Sequence, residues 1–156
     1  MDSEGGRPVA GWWMIIKACF GRGEWRNEPD RAEWLSSGFV CVVSRHVEGY
    51  LRGFVAMPPR HPMWGLPVED LRVMLEVHRG ITFAALADDD QLRCSLPVDS
   101  QAELWFVGFD CNQLGDFSPS DALSGGQPSP ARPYRNFRYV VEQVERIVNQ
   151  LVTRER

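Results

Sequence analysis

The sequence predicts an α+β fold, a mostly antiparallel sheet packed against a long C-terminal amphipathic helix. Three observations carry this prediction. Phe137, Val140, Val141, Val144, Ile147, Val148, Leu151 and Val152 recur at steps of three and four, one apolar stripe of a helix. FVCVVSR (39–45) and GYLRGFVAM (49–57) are runs rich in residues that favour strands, and the short link His46-Val47-Glu48 joins them as a hairpin. ELWFVGFD (103–110) is almost continuously apolar, the pattern of a strand buried on both faces.

The remaining elements follow in chain order. Residues 1–10 hold two adjacent glycines and a proline and read as a flexible N-terminus. WWMIIKACF (12–20) is short and apolar, and its β-branched pair favours a buried strand over a helix. Pro29 suits the opening of a short helix, DRAEWLSS (30–37), which Gly38 would close. In 49–57, Tyr50, Arg52, Phe54 and Ala56 fall on one face and Leu51, Gly53, Val55 and Met57 on the other. PPRHPMWGLP (58–67) has four prolines and cannot be regular structure; it is an ordered loop if Trp64 packs down. VEDLRVMLEV (68–77) reads as a short helix running into a strand, and GITFAALA (80–87) as a strand. Residues 118–133 are rich in serine, glycine and proline and read as a long loop or mobile flap. The helix is expected over 134–153, with Asn136 or the Pro133 region at its start and a Glu142–Arg146 pair on its surface. Its stripe either binds a partner or, more economically, packs across the sheet. The whole is one domain, 1–156.

Composition narrows the function classes. The chain has 156 residues, 44% of them hydrophobic, enough for a core without staples. A net charge of −4 argues against a nucleic-acid partner, which needs a basic field over phosphates. The only acidic run, Asp88-Asp89-Asp90, has the look of a solvated loop. Of the 17 basic residues all but Lys17 are arginine, which suits either planar bidentate contacts or a GC-rich coding sequence. Cys19, Cys41, Cys94 and Cys111 show no C-x-x-C spacing, so no zinc knuckle or redox pair can be read. No signal peptide and no apolar run of about 18 residues is present. The expectation is a cytoplasmic protein with reduced thiols and no membrane partner.

Residues able to do chemistry gather at the ends of the predicted strands, where sites tend to be built. His61 lies in PPRHP, His78 in VHRG, and Asp110, Cys111 and Asp116 in GFDCNQLGD. His61, His78, Asp110 and Asp116 could bind a divalent metal through nitrogen and oxygen. His78 with Cys111 could instead form a base–nucleophile pair, with Asp110 beside them as a third catalytic candidate. No established catalytic motif specifies either arrangement. Each residue also has a plain structural role open to it: Asp110 capping the turn that follows it, Cys111 as a small buried hydrophobe, His61 bonded within its loop. Trp64, Phe83, Trp105 and Phe109 could line a concave ligand surface or simply be core.

GYLRGFVAMPPRHPMWG (49–65), VHRGITF (77–83), WFVGFDCNQLGD (105–116) and YRNFRYVVEQVERIVNQL (134–151) together resemble a family of small uncharacterised proteins of bacteriophages and mobile elements in GC-rich bacteria. The resemblance spans roughly 38–152, and G-F-D-C-x-x-x-G-D is its most specific part. The family's motif positions fall on His61, His78, Gly80, Thr82, Trp105, Asp110, Cys111, Gly115 and Asp116. Arg79 and Gln113 stand where the family pattern has glycine and histidine, and an amide is a poor substitute for imidazole as a metal ligand. The resemblance implies an accessory protein acting by protein binding, with a host protein as partner and inhibition of host defence as one outcome. The alternatives are a metal-dependent hydrolase or nucleotide-processing enzyme, and a scaffold acting as a homodimer.

Overall fold

The computed structural model describes residues 19–86 and 103–155. Five strands form one antiparallel sheet: β1 (Arg31–Ser36), β2 (Phe39–Arg45), β3 (Leu51–Met57), β4 (Phe83–Leu86) and β5 (Trp105–Asp110), in the order β1-β2-β3-β5-β4. A short helix α1 (Val68–Met74) follows β3. The long helix α2 (Phe137–Thr153) closes the chain and lies across β2 and β3. The predicted N-terminal segments, apart from Cys19 and Phe20, and the Asp88-Asp89-Asp90 run lie outside the described residues.

The side-chain period of two explains the layers. Phe39, Cys41, Val43, Leu51, Val55, Met57, Val107 and Phe109 face the helix and meet Val140, Val144, Ile147, Val148 and Leu151 of its stripe. Val40, Val42, Phe54, Ala56, Leu104 and Phe106 form a second cluster on the other face. The central strands are therefore buried on both sides, as the apolar run of β5 predicts. Gly53 sets how closely the helix lies. A Cβ there would come within 2.6 Å of Val144 Cγ2 and 2.8 Å of Phe109 Cε1.

Several sequence expectations need correction. DRAEWLSS is not a helix but strand β1, an edge strand joined to β2 by the two-residue turn Ser37-Gly38. Both turn residues have positive φ, 50° and 84°, which matches the twist of a tight hairpin. Pairing with β2 overrides the helical leaning of the segment, and Glu145 of α2 fastens it by accepting from Trp34 Nε1 (2.7 Å) and Ser36 Oγ (2.6 Å). Residues 75–77 follow α1, Leu75 extended, and lead into the turn Val77–Gly80 without joining a strand. Side chains of α2 satisfy their backbone instead: Gln150 accepts from Glu76 N and donates to Glu76 O, and Gln143 accepts from His78 N. The segment 118–133 is ordered at its start, where Ser118 and Asp121 form a capping box on the 3-10 turn Pro119–Ser124. Arg146 reaches Glu76 rather than being limited to its own helix. Asn136 caps α2 as expected, its side chain accepting from Tyr139 N.

One buried cation joins these parts. Arg45, at the end of β2, has a side chain of 0% exposure, and all five of its N–H groups have acceptors. Nε donates to Asp30; one terminal nitrogen donates to Gly49 O and Tyr134 Oη; the other donates to Glu28 and Pro29 O. Glu28 in turn accepts from Tyr134 Oη (2.6 Å) and from Phe137 N, the first residue of α2. Burial pushes the Arg45 guanidinium down, but Tyr134, Asp30 and Glu28 hold it above its ordinary value, so it stays charged.

Arg45→Ala should lower unfolding free energy by about 3–5 kcal/mol, because it strands two carboxylates beside an apolar cluster; urea titration reads this directly. Gly53→Ala should cost about 1–3 kcal/mol by forcing α2 off the sheet, visible as a lower melting temperature with an unchanged far-ultraviolet spectrum.

Candidate functional site

The loop that follows β5, GFDCNQLGD, and the first turns of α2 enclose the described cluster of chemically capable groups. His78 enters it from the turn Val77–Gly80, and its side chain is 2% exposed. Its Nε2 lies 2.7 Å from Asp116 Oδ2, and its Nδ1 lies 2.6 Å from Tyr139 Oη. The Asp116 side chain is fully buried, and its other oxygen accepts from Arg135 Nε at 3.0 Å. Gln113 N also donates to Asp116.

These contacts fix the donor and acceptor at the carboxylate. Burial pushes the Asp116 carboxyl up, but hydrogen bonds from His78, Gln113 N–H and Arg135 more than offset it and hold it below its ordinary value. An ionised Asp116 can only accept, so His78 Nε2 carries a proton and donates it. In the neutral ring Nδ1 is the acceptor, and Tyr139 donates to it. Burial pushes the Tyr139 phenol up, opposed by the nearby Arg135 and Arg79 guanidiniums. Arg135 also stacks over the Tyr139 ring, 4.7 Å from its centroid.

Asp110 holds the loop's other end. Its Oδ1 accepts from Asn112 N (3.0 Å) and Gln113 Nε2 (2.8 Å), the turn cap foreseen for it. Gln113 thus ties Asp110 to Asp116. Gly115 takes a positive φ of 92°, and Arg79 lies against it, with Nη2 2.6 Å from where a Cβ would sit. Arg79 itself has φ 52°, in the left-handed region that non-glycine residues rarely occupy. At the tip of this fastened loop Leu114 is 94% exposed.

The structure brings His78, Asp110, Cys111 and Asp116 to one region and leaves His61 out. His61 donates from Nε2 to Leu151 O (2.9 Å), accepts at Nδ1 from Met63 N, and packs on Phe39. It caps the far end of α2. Its partner Leu151 and the His78 partner Tyr139 are twelve residues apart on that helix, about 18 Å along the axis. The four-ligand metal set is therefore corrected, since ligand bonds span only about 2.0–2.2 Å. Among the described residues no group of three or more His, Cys, Asp and Glu is placed to hold a metal ion. The Cys111–His78 pair is corrected too. Cys111 is buried, and burial with the Asp116 and Asp110 charges pushes its thiol well up, while both His78 ring nitrogens are engaged elsewhere. The aromatic set divides as well: Phe109 faces α2, Phe83 packs on Phe54 across the sheet, and Trp64 leans on Trp105 at the sheet's end.

Sequence reasoning missed Tyr139, Arg135 and Arg79. Tyr139 and Arg135 stand in the helix region, where the apolar stripe dominates the pattern. Arg79 stands out in the sequence only as a departure from a family position. No helix among the described residues is long and apolar enough to cross a membrane. No family model, curated protein or solved structure matches the chain.

The Asp116 arrangement predicts an acid limb. Its carboxyl is depressed in the folded state, so its stabilising contribution is present above the unfolded value of about 3.9 and is lost as pH falls through the lower folded value. Melting temperature should drop below about pH 4. Asp116→Asn should be less stable at neutral pH and show a shallower acid decline.

Proposed function

We propose that this chain acts by binding a partner protein, and that the loop Asp110–Asp116 is the contact. The observation that carries this is Leu114, an apolar side chain 94% exposed on a loop held from both sides by hydrogen bonds. An exposed leucine on a loose loop would mean little. Here Asp110, Gln113 and Asp116 fix the backbone beneath it, so ordering costs little on association. Arg79 and Arg135 flank the loop, and the two carboxylates under it are already engaged. Two guanidiniums beside two carboxylates leave the face near electrical balance, so the partner is defined by an apolar residue to meet Leu114 within a mixed-charge surround. In the setting that the family resemblance implies, this is an accessory protein of a bacteriophage or mobile element. The partner is then a host protein, with defence components the first to examine.

The test compares Leu114→Arg with Val73→Arg, since Val73 is 87% exposed on α1 and outside this face. A co-purifying protein is identified by mass spectrometry and its affinity measured with both purified components. Leu114→Arg should weaken binding about tenfold or more, with Val73→Arg unchanged. Equal binding by the two variants, or a native protein that co-purifies with nothing, overturns the reading.

A further inference from the structure

Beyond docking, the groups around His78 satisfy a second requirement, that of an activated nucleophile. We propose that Tyr139 is a base-assisted nucleophile that accepts a phosphoryl group from a phosphoester, with His78 as its general base, Asp116 as the positioning residue, and Arg79 and Arg135 facing the anionic electrophile.

The geometry is that of a nucleophile, a base within hydrogen-bond reach, and a third group that orients the base. Tyr139 Oη and His78 Nδ1 are 2.6 Å apart; His78 Nε2 and Asp116 Oδ2 are 2.7 Å apart. Asp116 selects the tautomer in which Nδ1 is free to take a proton. It is itself held by Arg135 and Gln113 N, and His78 is held by Gln143 through its backbone, so the base cannot turn away. Tyr139 is half-buried, whereas Tyr50 and Tyr134, the other two tyrosines, are buried at 8% and 7% exposure. Arg135 lies 4.7 Å from its ring centroid, the Arg79 charge also acts on its phenol, and Arg79 has a strained left-handed backbone. Such strain persists only where the surroundings over-determine it, and it gathers at functional positions. Planar guanidiniums suit phosphoryl oxygens. A high phenol pKa is no obstacle, because the proton leaves as the new bond forms.

The step balances within the site. Tyr139 Oη forms a bond to phosphorus while the bond from phosphorus to the leaving oxygen breaks, its electron pair going to that oxygen. The phenolic proton passes to His78 Nδ1 and from there to the departing oxygen. The products are a phosphotyrosyl chain and an alcohol.

Three probes test this on the full chain. Benzenesulfonyl fluoride and its anionic 4-carboxylate each form an oxygen–sulfur bond and expel fluoride, so labelling rate at Tyr139, read by mass spectrometry, reports nucleophilicity. The native chain should label about tenfold or more faster than His78→Gln at neutral pH. Its rate should level off with rising pH, as one titrating base gives, where an unassisted phenol keeps rising about tenfold per pH unit. Arg79→Gln should remove any preference for the anionic probe. With 4-nitrophenyl phosphate, phosphate should appear on Tyr139 of the native chain and not on that of His78→Gln. Equal labelling of native and His78→Gln chains, or a native rate that climbs without levelling, overturns the base. If His78→Gln does not fold, the native pH profile decides alone. Labelling that levels off without any phosphate transfer overturns the substrate class. None of these readouts involves Leu114 or a partner protein.

Discussion

Arg45 is the constraint on which the rest of the structure depends. A guanidinium with no exposure survives burial only when each of its donors is met, because the desolvation penalty of a lone buried charge is several kcal/mol. Its acceptors come from three places in the chain: Glu28, Pro29 and Asp30 on the approach to β1, Gly49 in the link between β2 and β3, and Tyr134 before α2. These must converge for the cation to be satisfied, so one side chain links the register of the sheet edge to the start of the helix. The same contacts place Glu28 at the N-terminus of α2, where a carboxylate is favoured by the unpaired amide groups and the helix dipole.

That link decides where the candidate site lies. Tyr139 is in the first turn of α2, three residues past the Asn136 cap and two past the amide that Glu28 accepts from. The helix start cannot drift without disturbing Arg45, so the Tyr139 phenol is delivered to a fixed point beside the β5 loop. From the other side, Gln143 and Gln150 grip the residues after α1 and carry His78 to the same point. A glutamine amide carries both donors and an acceptor, so it can pair with a peptide group as a neighbouring strand would, and Gln150 also donates to Arg146 O. Here it stands in for a neighbouring strand, so the backbone of Glu76 and His78 is satisfied outside the sheet.

The parts readable from sequence are those governed by periodicity. The helix stripe, the two central strands, the alternation in β3 and the doubly buried β5 all follow from where apolar residues recur, and each is present. The failures share another cause. DRAEWLSS has no clear strand alternation, and its state is chosen by Ser37-Gly38, Glu145 and pairing with β2, none of which local propensity encodes. His61 and His78 look alike as lone histidines near prolines and glycines. One is bound to a helix carbonyl and the other to a carboxylate, a difference created by partners 90 and 38 residues away. Tyr139 and Arg135 were hidden by their own neighbourhood, since a residue in a strongly amphipathic helix is read as part of its face before it is read as chemistry.

The arginine bias, ambiguous as composition, becomes specific at three positions. Arg45 uses the whole planar fork inside the fold, and Lys could not replace it, having three donors around one point charge instead of five in a plane. Arg135 uses one edge for Asp116 and its flat face for Tyr139, again a combination an ammonium lacks. Arg79 lies against a glycine that leaves room for it, in a backbone conformation that costs free energy. The first two are explained by what they hold together within the chain. Arg79 is different: its strain is borne at the edge of the exposed loop, against Gly115, where its charge acts on the Tyr139 phenol. No contact among the described residues accounts for the cost of that backbone, whereas the contacts of Arg45 and Arg135 account for their placement.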